Sequence, residues 1–297
     1  MGKTREIKKR IKAVGNIRRI TKTMQMIATS KFARAQQKAV ATKPYTEGVF
    51  ELVREIAGNL ASGGSDVTHP LIAGAPAPAG TVAKPLTLII TSDRGLAGPY
   101  NGSIMRLAMS HLRSHPGARE GEIEIAGRKG ANFLKFNQVA TTRQHAIGDK
   151  ADFRDVERIA QSYIDRFTRG EIASVHVVYM KFISAGRQRP TVMQLLPLQP
   201  PTAEKAEKAT AAVEYEFSPP AAQLLNTLLP AAVRSTLMQA INDAVVSEHI
   251  ARMIAMKSAT DNAGKMGKRL TRQYNRARQA QITTELTEII SGAAALE

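Results

Sequence analysis

Cysteine is absent from the 297 residues. That excludes disulfides, thiolate nucleophiles, Cys-ligated zinc and thiol redox switching. Tryptophan is absent too, and aromatics reach only 5%, thin for a globular enzyme and more usual for long helices. No apolar run approaches the roughly 20 residues of a membrane span, and no signal-type apolar stretch follows the start. The expectation is a soluble, intracellular protein. GxxxxGK[ST], GxGxxG, GxSxG and HExxH are all missing, so phosphate-cradle, dinucleotide, hydrolase and metalloprotease readings lack support. Hydrophobic residues at 43% and charged residues at 23% are ordinary for a folded chain, and the length suggests about two domains.

Charge of one sign is abundant, and its placement is uneven. Residues 1–40 hold 12 Lys and Arg against Glu6 alone; residues 250–280 hold eight against Asp261. These stretches carry +11 and +7 in a chain of net +17, so the remainder nets −1. An acidic protein, nucleic acid or an anionic surface is implied as a partner. Solvated helix faces, counterion-release binding to nucleic acid and an acidic protein socket all fit the composition. Only Phe32 and Tyr274 could stack on bases in these stretches.

From Lys3 to about Ala57 the only proline is Pro44, and good helix formers dominate. Ile7, Ile11 and Val14 share a helical face. Ile17, Ile20, Met24 and Ile27 continue the stripe while rotating it around the helix. Such a helix spans roughly 80 Å. From Ser218-Pro219-Pro220, a capped helix start, a second helical pattern, interrupted only by Pro230, Gly264 and Gly267, runs to about Gly292, or roughly 105 Å. Leu237, Ile241, Ala244, Ala251, Ala255, Ala259, Met266 and Leu270 lie near one stripe, and after Ala277 the apolar face moves to Ile282, Leu286 and Ile289.

Between the helices the pattern alternates. Leu86–Thr91, Glu122–Ala126, Ser174–Ile183 and Thr191–Leu198 read as strands; 101–115, 128–136 and 153–169 read as helices. The expected fold is α/β plus a long coiled coil. Its N- and C-terminal helices pair antiparallel, with a small open α/β (Rossmann-like) domain inserted between them. The domains run 1–60 (first helix), 61–85 (Gly/Pro/Ala-rich loop), 86–200 (α/β domain), 201–217 (polar link) and 218–297 (second helix).

Few residues suggest chemistry. His111 and His115 have metal-ligand spacing on a helix, but no third ligand stands at a matching sequence position, so they read as solvent-facing. The Ser92-Asp93-Arg94-Gly95-Leu96-Ala97-Gly98-Pro99 turn follows a strand, where anions often bind, and reads mainly as turn chemistry. Asp155, Glu157 and Asp165 read as a solvated helix face rather than an acid–base pair. No catalytic, metal or cofactor site is expected.

The two ends carry a family likeness. Ile20-Thr21-Lys22-Thr23-Met24-Gln25-Met26-Ile27-Ala28 with Ser30-Lys31, preceded by Arg5-Glu6-Ile7 and Asn16, resembles the N-terminal helix of the gamma-subunit family of rotary F-type ATP synthases. Arg252 to Ala263 (RMIAMKSATDNA), Tyr274 to Ala280 (YNRARQA) and Ile282 to Ala294 (ITTELTEIISGAA) resemble its C-terminal helix, and Ser92–Leu96 agrees as well. The resemblance implies a non-catalytic central rotor shaft, with no cofactor, inside a ring of three alpha and three beta subunits. It implies a globular foot against the epsilon subunit and the proton-driven c-ring, peripheral on the cytoplasmic face of the bacterial inner membrane without inserting into it. It also implies torque transmission and regulation of ATPase activity and proton flow. The alternative is a basic coiled-coil protein that binds nucleic acid.

By the same resemblance, Met24 with Lys22 faces the acidic lever segment of beta, and Arg252 sits alongside Met24 in a basic surface shared with Lys257. Gln279, Thr283, Glu285 and Glu288 are coupling positions, while Ile282, Leu286 and Ile289 ride in a bearing. Tyr215 is a foot contact, although Ser218 departs from the acidic residue often found nearby. The plastid type's cysteine-bearing insert is missing. The Arg-rich start could pass for a transit peptide, but the family helix begins almost at Met1, so nothing is expected to be cleaved.

Overall fold

The computed structural model describes residues 2–62, 69–74, 83–115, 117–148, 152–198 and 220–294. In chain order it contains helix α1 (Gly2–Ser62), α2 (Pro70–Ala73), strand β1 (Lys84–Ile90), α3 (Tyr100–Ser114), β2 (Glu122–Ala126) and α4 (Arg128–Phe136). β3 (Arg143–His145), α5 (Phe153–Thr168), β4 (Ile172–Ser184), β5 (Arg187–Leu196) and α6 (Ala221–Ala294) follow. The chain divides into two compact units: Met1–Lys31 with Ala251–Glu297, and Phe32–Ile250. The 201–217 link, Tyr215 and the Ser218 cap lie outside the described residues.

In the α/β unit five strands are ordered β3-β2-β1-β4-β5. β1 pairs in parallel with β2 and β4, β2 in parallel with β3, and β4 antiparallel with β5. Burial explains the apolar run of β1: Leu86, Leu88 and Ile89 are all 0% exposed, as a central parallel strand covered on both faces requires. Leu86, Leu88, Val175, Val177 and Tyr179 join a core with Val156, Ala160, Tyr163 and Phe167 of α5. Val49, Val53 and Ile56 of α1 and Leu229 to Ala244 of α6 complete it. Here α6 is buried almost all round, and Tyr100 Oη donates to the Ala244 carbonyl at 3.0 Å.

One crossing depends on glycine. Gly127, between β2 and α4, has φ +95, and a Cβ there would stand 2.2 Å from the Thr91 carbonyl oxygen. Thr91 uses this closeness: its hydroxyl donates to the Ala126 carbonyl at 2.9 Å and accepts from the Gly130 N–H at 3.0 Å.

Three elements depart from expectation. α2 forms inside the stretch read as a loop, with His69 Nδ1 accepting from Leu71 N and Leu71 buried. β3, three polar residues long, has no periodicity to reveal it. Pro230, Gly264 and Gly267 do not interrupt α6, which runs unbroken to Ala294.

A buried carboxylate also escaped the sequence. Glu124, on the short strand β2, is 1% exposed. It accepts from Tyr163 Oη at 2.6 Å and pairs with His145 at 2.5 Å, tying edge strand β3 to α5. Burial pushes its pKa up, but the His145 and Tyr163 hydrogen bonds and the charges of His145 and Arg143 outweigh it, and the net shift is downward.

Candidate interaction surface on the paired termini

In the other unit the two ends of the chain lie antiparallel. Thr4 Oγ1 donates to Gln281 Oε1 at 3.0 Å, and Thr260 Oγ1 donates to Thr21 Oγ1 at 2.9 Å. Moving up one helix matches moving down the other. The sheltered positions on α1 include Thr4, Ile7, Ile11, Val14, Thr21, Gln25 and Ala28; on α6 they include Met256, Thr260, Ala263, Gly267, Leu270, Tyr274, Ala277 and Gln281. Steps of three and four alternate, save one step of seven from Val14 to Thr21 over exposed Arg18, a seven-residue repeat that selects left-handed winding.

This corrects the rotating stripe. Ile17, Ile20 and Ile27 are 52%, 57% and 53% exposed, and Met266 is exposed as well. Small side chains are the physical reason. Ala28 and Ala263 are the side chains buried along the seam here, and Thr260 bonds to Thr21 across it, so the isoleucines are left facing outward. Arg18 lies over Gly264, its Nε 3.6 Å from where a Cβ would stand.

The outer surface is cationic. This unit holds 18 Lys and Arg against five Asp and Glu, a formal +13 out of +17. Apart from Lys31 and Arg252, which are half-buried, these cations between Arg5 and Arg278 are exposed. Ile17, Ile20, Met26, Ile27, Ile254 and Met266 are exposed among them. Of the two aromatics in the basic stretches, Tyr274 is half-buried on the seam, and Phe32, in the α/β unit, packs edge-on to Phe182 at 6.3 Å. Neither is an open stacking platform.

Met24 is half-buried beside the seam, and Lys22 and Lys257 are exposed. The register set by Thr21 and Thr260 puts Met24 level with Lys257, and Arg252 is five residues on, about 7.5 Å along the axis. α1 extends only two residues beyond the Thr4–Gln281 bond, whereas α6 continues to Ala294. There Ile282, Leu286 and Ile289 are 45%, 53% and 70% exposed. Gln279, Thr283, Glu285 and Glu288 are exposed too; Thr283 Oγ1 donates to the Gln279 carbonyl and Gln281 Nε2 to Glu285.

The other candidates resolve into structure. In the turn after β1, Ser92 Oγ donates to the Arg94 carbonyl at 2.7 Å, and Asp93 Oδ1 accepts from Arg128 N at 3.1 Å. The chain's own carboxylate thus occupies the start of α4. Asp155 pairs with Arg158, and Asp165 accepts from Gln161. His111 is not solvent-facing as expected; it is 4% exposed, because α3 turns it onto the sheet.

A family model described as ATP synthase matches residues 3–296. The ATP synthase gamma chain of Desulfitobacterium hafniense is 39% identical over 298 residues, covering 100% of both chains. That of Brevibacillus brevis is 40% identical over 291 residues, covering 97% of each. Among solved structures, a chain of the Euglena gracilis mitochondrial ATP synthase (OSCP/F1/c-ring, rotational state 3) superposes with TM-score 0.64 at 17% identity, over 99% of this chain and 95% of that one. A chain of the Tetrahymena thermophila mitochondrial ATP synthase central stalk/c-ring gives 0.53 at 19% identity, over 81% of this chain and 99% of that one.

Proposed function

The chain belongs to the ATP synthase gamma-chain family, and from that premise we propose that it works as a torque-transmitting shaft. Its paired termini turn inside a ring of three alpha and three beta subunits, while its α/β unit meets epsilon and the c-ring. It makes and breaks no bonds in ATP and sits peripherally on the cytoplasmic face of a bacterial inner membrane.

The observation that carries this reading is the +13 helical unit with apolar side chains exposed among its cations. Two cationic helices repel each other, so an acidic surround stabilises them, and apolar outer residues gain by being covered. One chain on the axis of a threefold ring meets each beta subunit with a different face. Rotation then biases the three sites differently between open and closed states. Met24, Lys22, Arg252 and Lys257 would meet acidic beta; Gln279, Thr283, Glu285 and Glu288 would act in coupling. Ile282, Leu286 and Ile289 would form the bearing, and Tyr215 a foot contact.

Met24→Lys tests it. The new cation lies level with Lys257, adds attraction to an acidic partner, and should impair ATP-driven proton pumping of the assembled complex more than its ATP hydrolysis. Equal loss of both sinks the coupling role. Co-expression with alpha and beta should yield a stable complex without nucleic acid; salt-sensitive DNA binding without those partners would favour the nucleic-acid alternative.

A further inference from the structure

Three histidines meet on the sheet face that α3 covers. His111 and His115 stand four residues apart on α3, and His176 reaches them from β4. Ring centroids are 4.3 Å apart for His111–His115, 5.0 Å for His111–His176 and 5.6 Å for His115–His176. Sequence spacing could not show the third member, which lies 61 positions beyond His115.

Two buried polar atoms here lack partners. His111 is 4% exposed and its Nε2 makes no hydrogen bond. Thr87, level with His176 in the β1–β4 register and on the same face, is 1% exposed, and its Oγ1 is likewise unpartnered. Burying such atoms unsatisfied costs free energy, and native structures do so rarely. Burial, with the neighbouring His176 and His115, lowers the His111 pKa to about 4; burial and His115 lower that of His176.

We infer that His111, His115 and His176 form a binding site for one divalent transition-metal ion of the zinc class, with solvent as the fourth ligand. An imidazole nitrogen about 2.0 Å from a tetrahedral zinc puts its ring centroid about 3.2 Å from the ion, so two ligand rings stand about 5 Å apart. The three observed separations bracket that value. Among the described residues no group of three or more His, Cys, Asp or Glu is placed to hold a metal ion as its side chains now lie; the rings lie tilted at 43°, 51° and 62°. His115 is exposed and His176 half-buried, so rotation of these two rings completes the site around His111. Ser174 Oγ lies 3.5 Å from His176 Nδ1, which leaves the His176 Nε2 for the ion. Imidazole donors without thiolate suit zinc, copper or nickel rather than magnesium or calcium. A bound ion would tie the end of α3 to β4.

The test titrates zinc chloride, and in parallel cobalt chloride, into the tag-free full-length chain. One ion should bind per chain and raise the Tm, and cobalt should show the visible bands of a tetrahedral nitrogen site. His115→Ala, at an exposed position, should leave the metal-free Tm unchanged; it and His176→Ala should each weaken binding at least about tenfold. His69→Asn, outside the cluster, should bind as the parent does. No saturable binding, equal affinity in His115→Ala, or loss of binding in His69→Asn would overturn the site.

Discussion

The α/β unit and the helical unit are built from different material. In the first, individual strand residues reach zero exposure: Leu86, Leu88, Ile89, Val177 and Leu195 are sealed in the core. In the second, among the described residues, the buried apolar side chains are Val14, Ala28, Met256 and Ala263, two of them alanines. Thr–Gln and Thr–Thr hydrogen bonds complete its seam. Burial contributes about 25 cal/mol per Å² of apolar surface, so the first unit draws its stability from area. The second takes its specificity from register and the hydrogen bonds that fix it, which suits helices whose outer faces remain for a partner.

The sharpest challenge to this contrast compares one truncation in each unit. Leu88→Ala should cost about 2–5 kcal/mol, and Val14→Ala about 1 kcal/mol or less because its surroundings are half-open. Urea denaturation measures both, and similar losses would erase the distinction. Next in size is pH. The folded state holds His111 neutral to about pH 4, whereas the unfolded chain takes up the proton near 6.5. Stability of the α/β unit is therefore full above 6.5 and falls between 6.5 and 4, by an amount on the order of 3 kcal/mol. Thermal melts across that range should show the slope, and His111→Leu should remove most of it.

Ala263→Leu should overpack the seam by about 1–3 kcal/mol. Amide exchange should quicken around Thr21 and Thr260 while β1 and β4 keep their protection; unchanged exchange would mean that the helices do not need a small residue there. Smallest is Gly267→Ala. A Cβ there meets nothing within 4 Å, and the gain in helix propensity should stabilise the helical unit by about 0.5–1 kcal/mol. A lower melting temperature would mean that the seam needs the glycine itself.

Local signals identified most of the fold. β2 and α4 were legible to the residue, because Glu122–Ala126 and Arg128–Phe136 are bounded by Gly121 and Gly127 and carry clear periods. β3 was not, since Arg143, Gln144 and His145 form a strand only because β2 offers them an edge. In the candidate surface, the uneven charge and the exposed Ile282, Leu286 and Ile289 were legible. The seam is not legible around Ile17 and Ile20, because periodicity weighs apolar bulk and the seam there runs through Thr21, Thr260 and Ala263.

Composition and local pattern alone therefore determined the two long helices, the alternating α/β centre and the concentration of positive charge at the two ends, each a property of neighbours within a few turns. Folding decided which helix face turns inward, which carboxylate is sealed beneath Tyr163 and His145, and that His176 stands beside His111 and His115. Those outcomes depend on which distant backbones come close enough to exclude water, and no spacing along the chain encodes that distance.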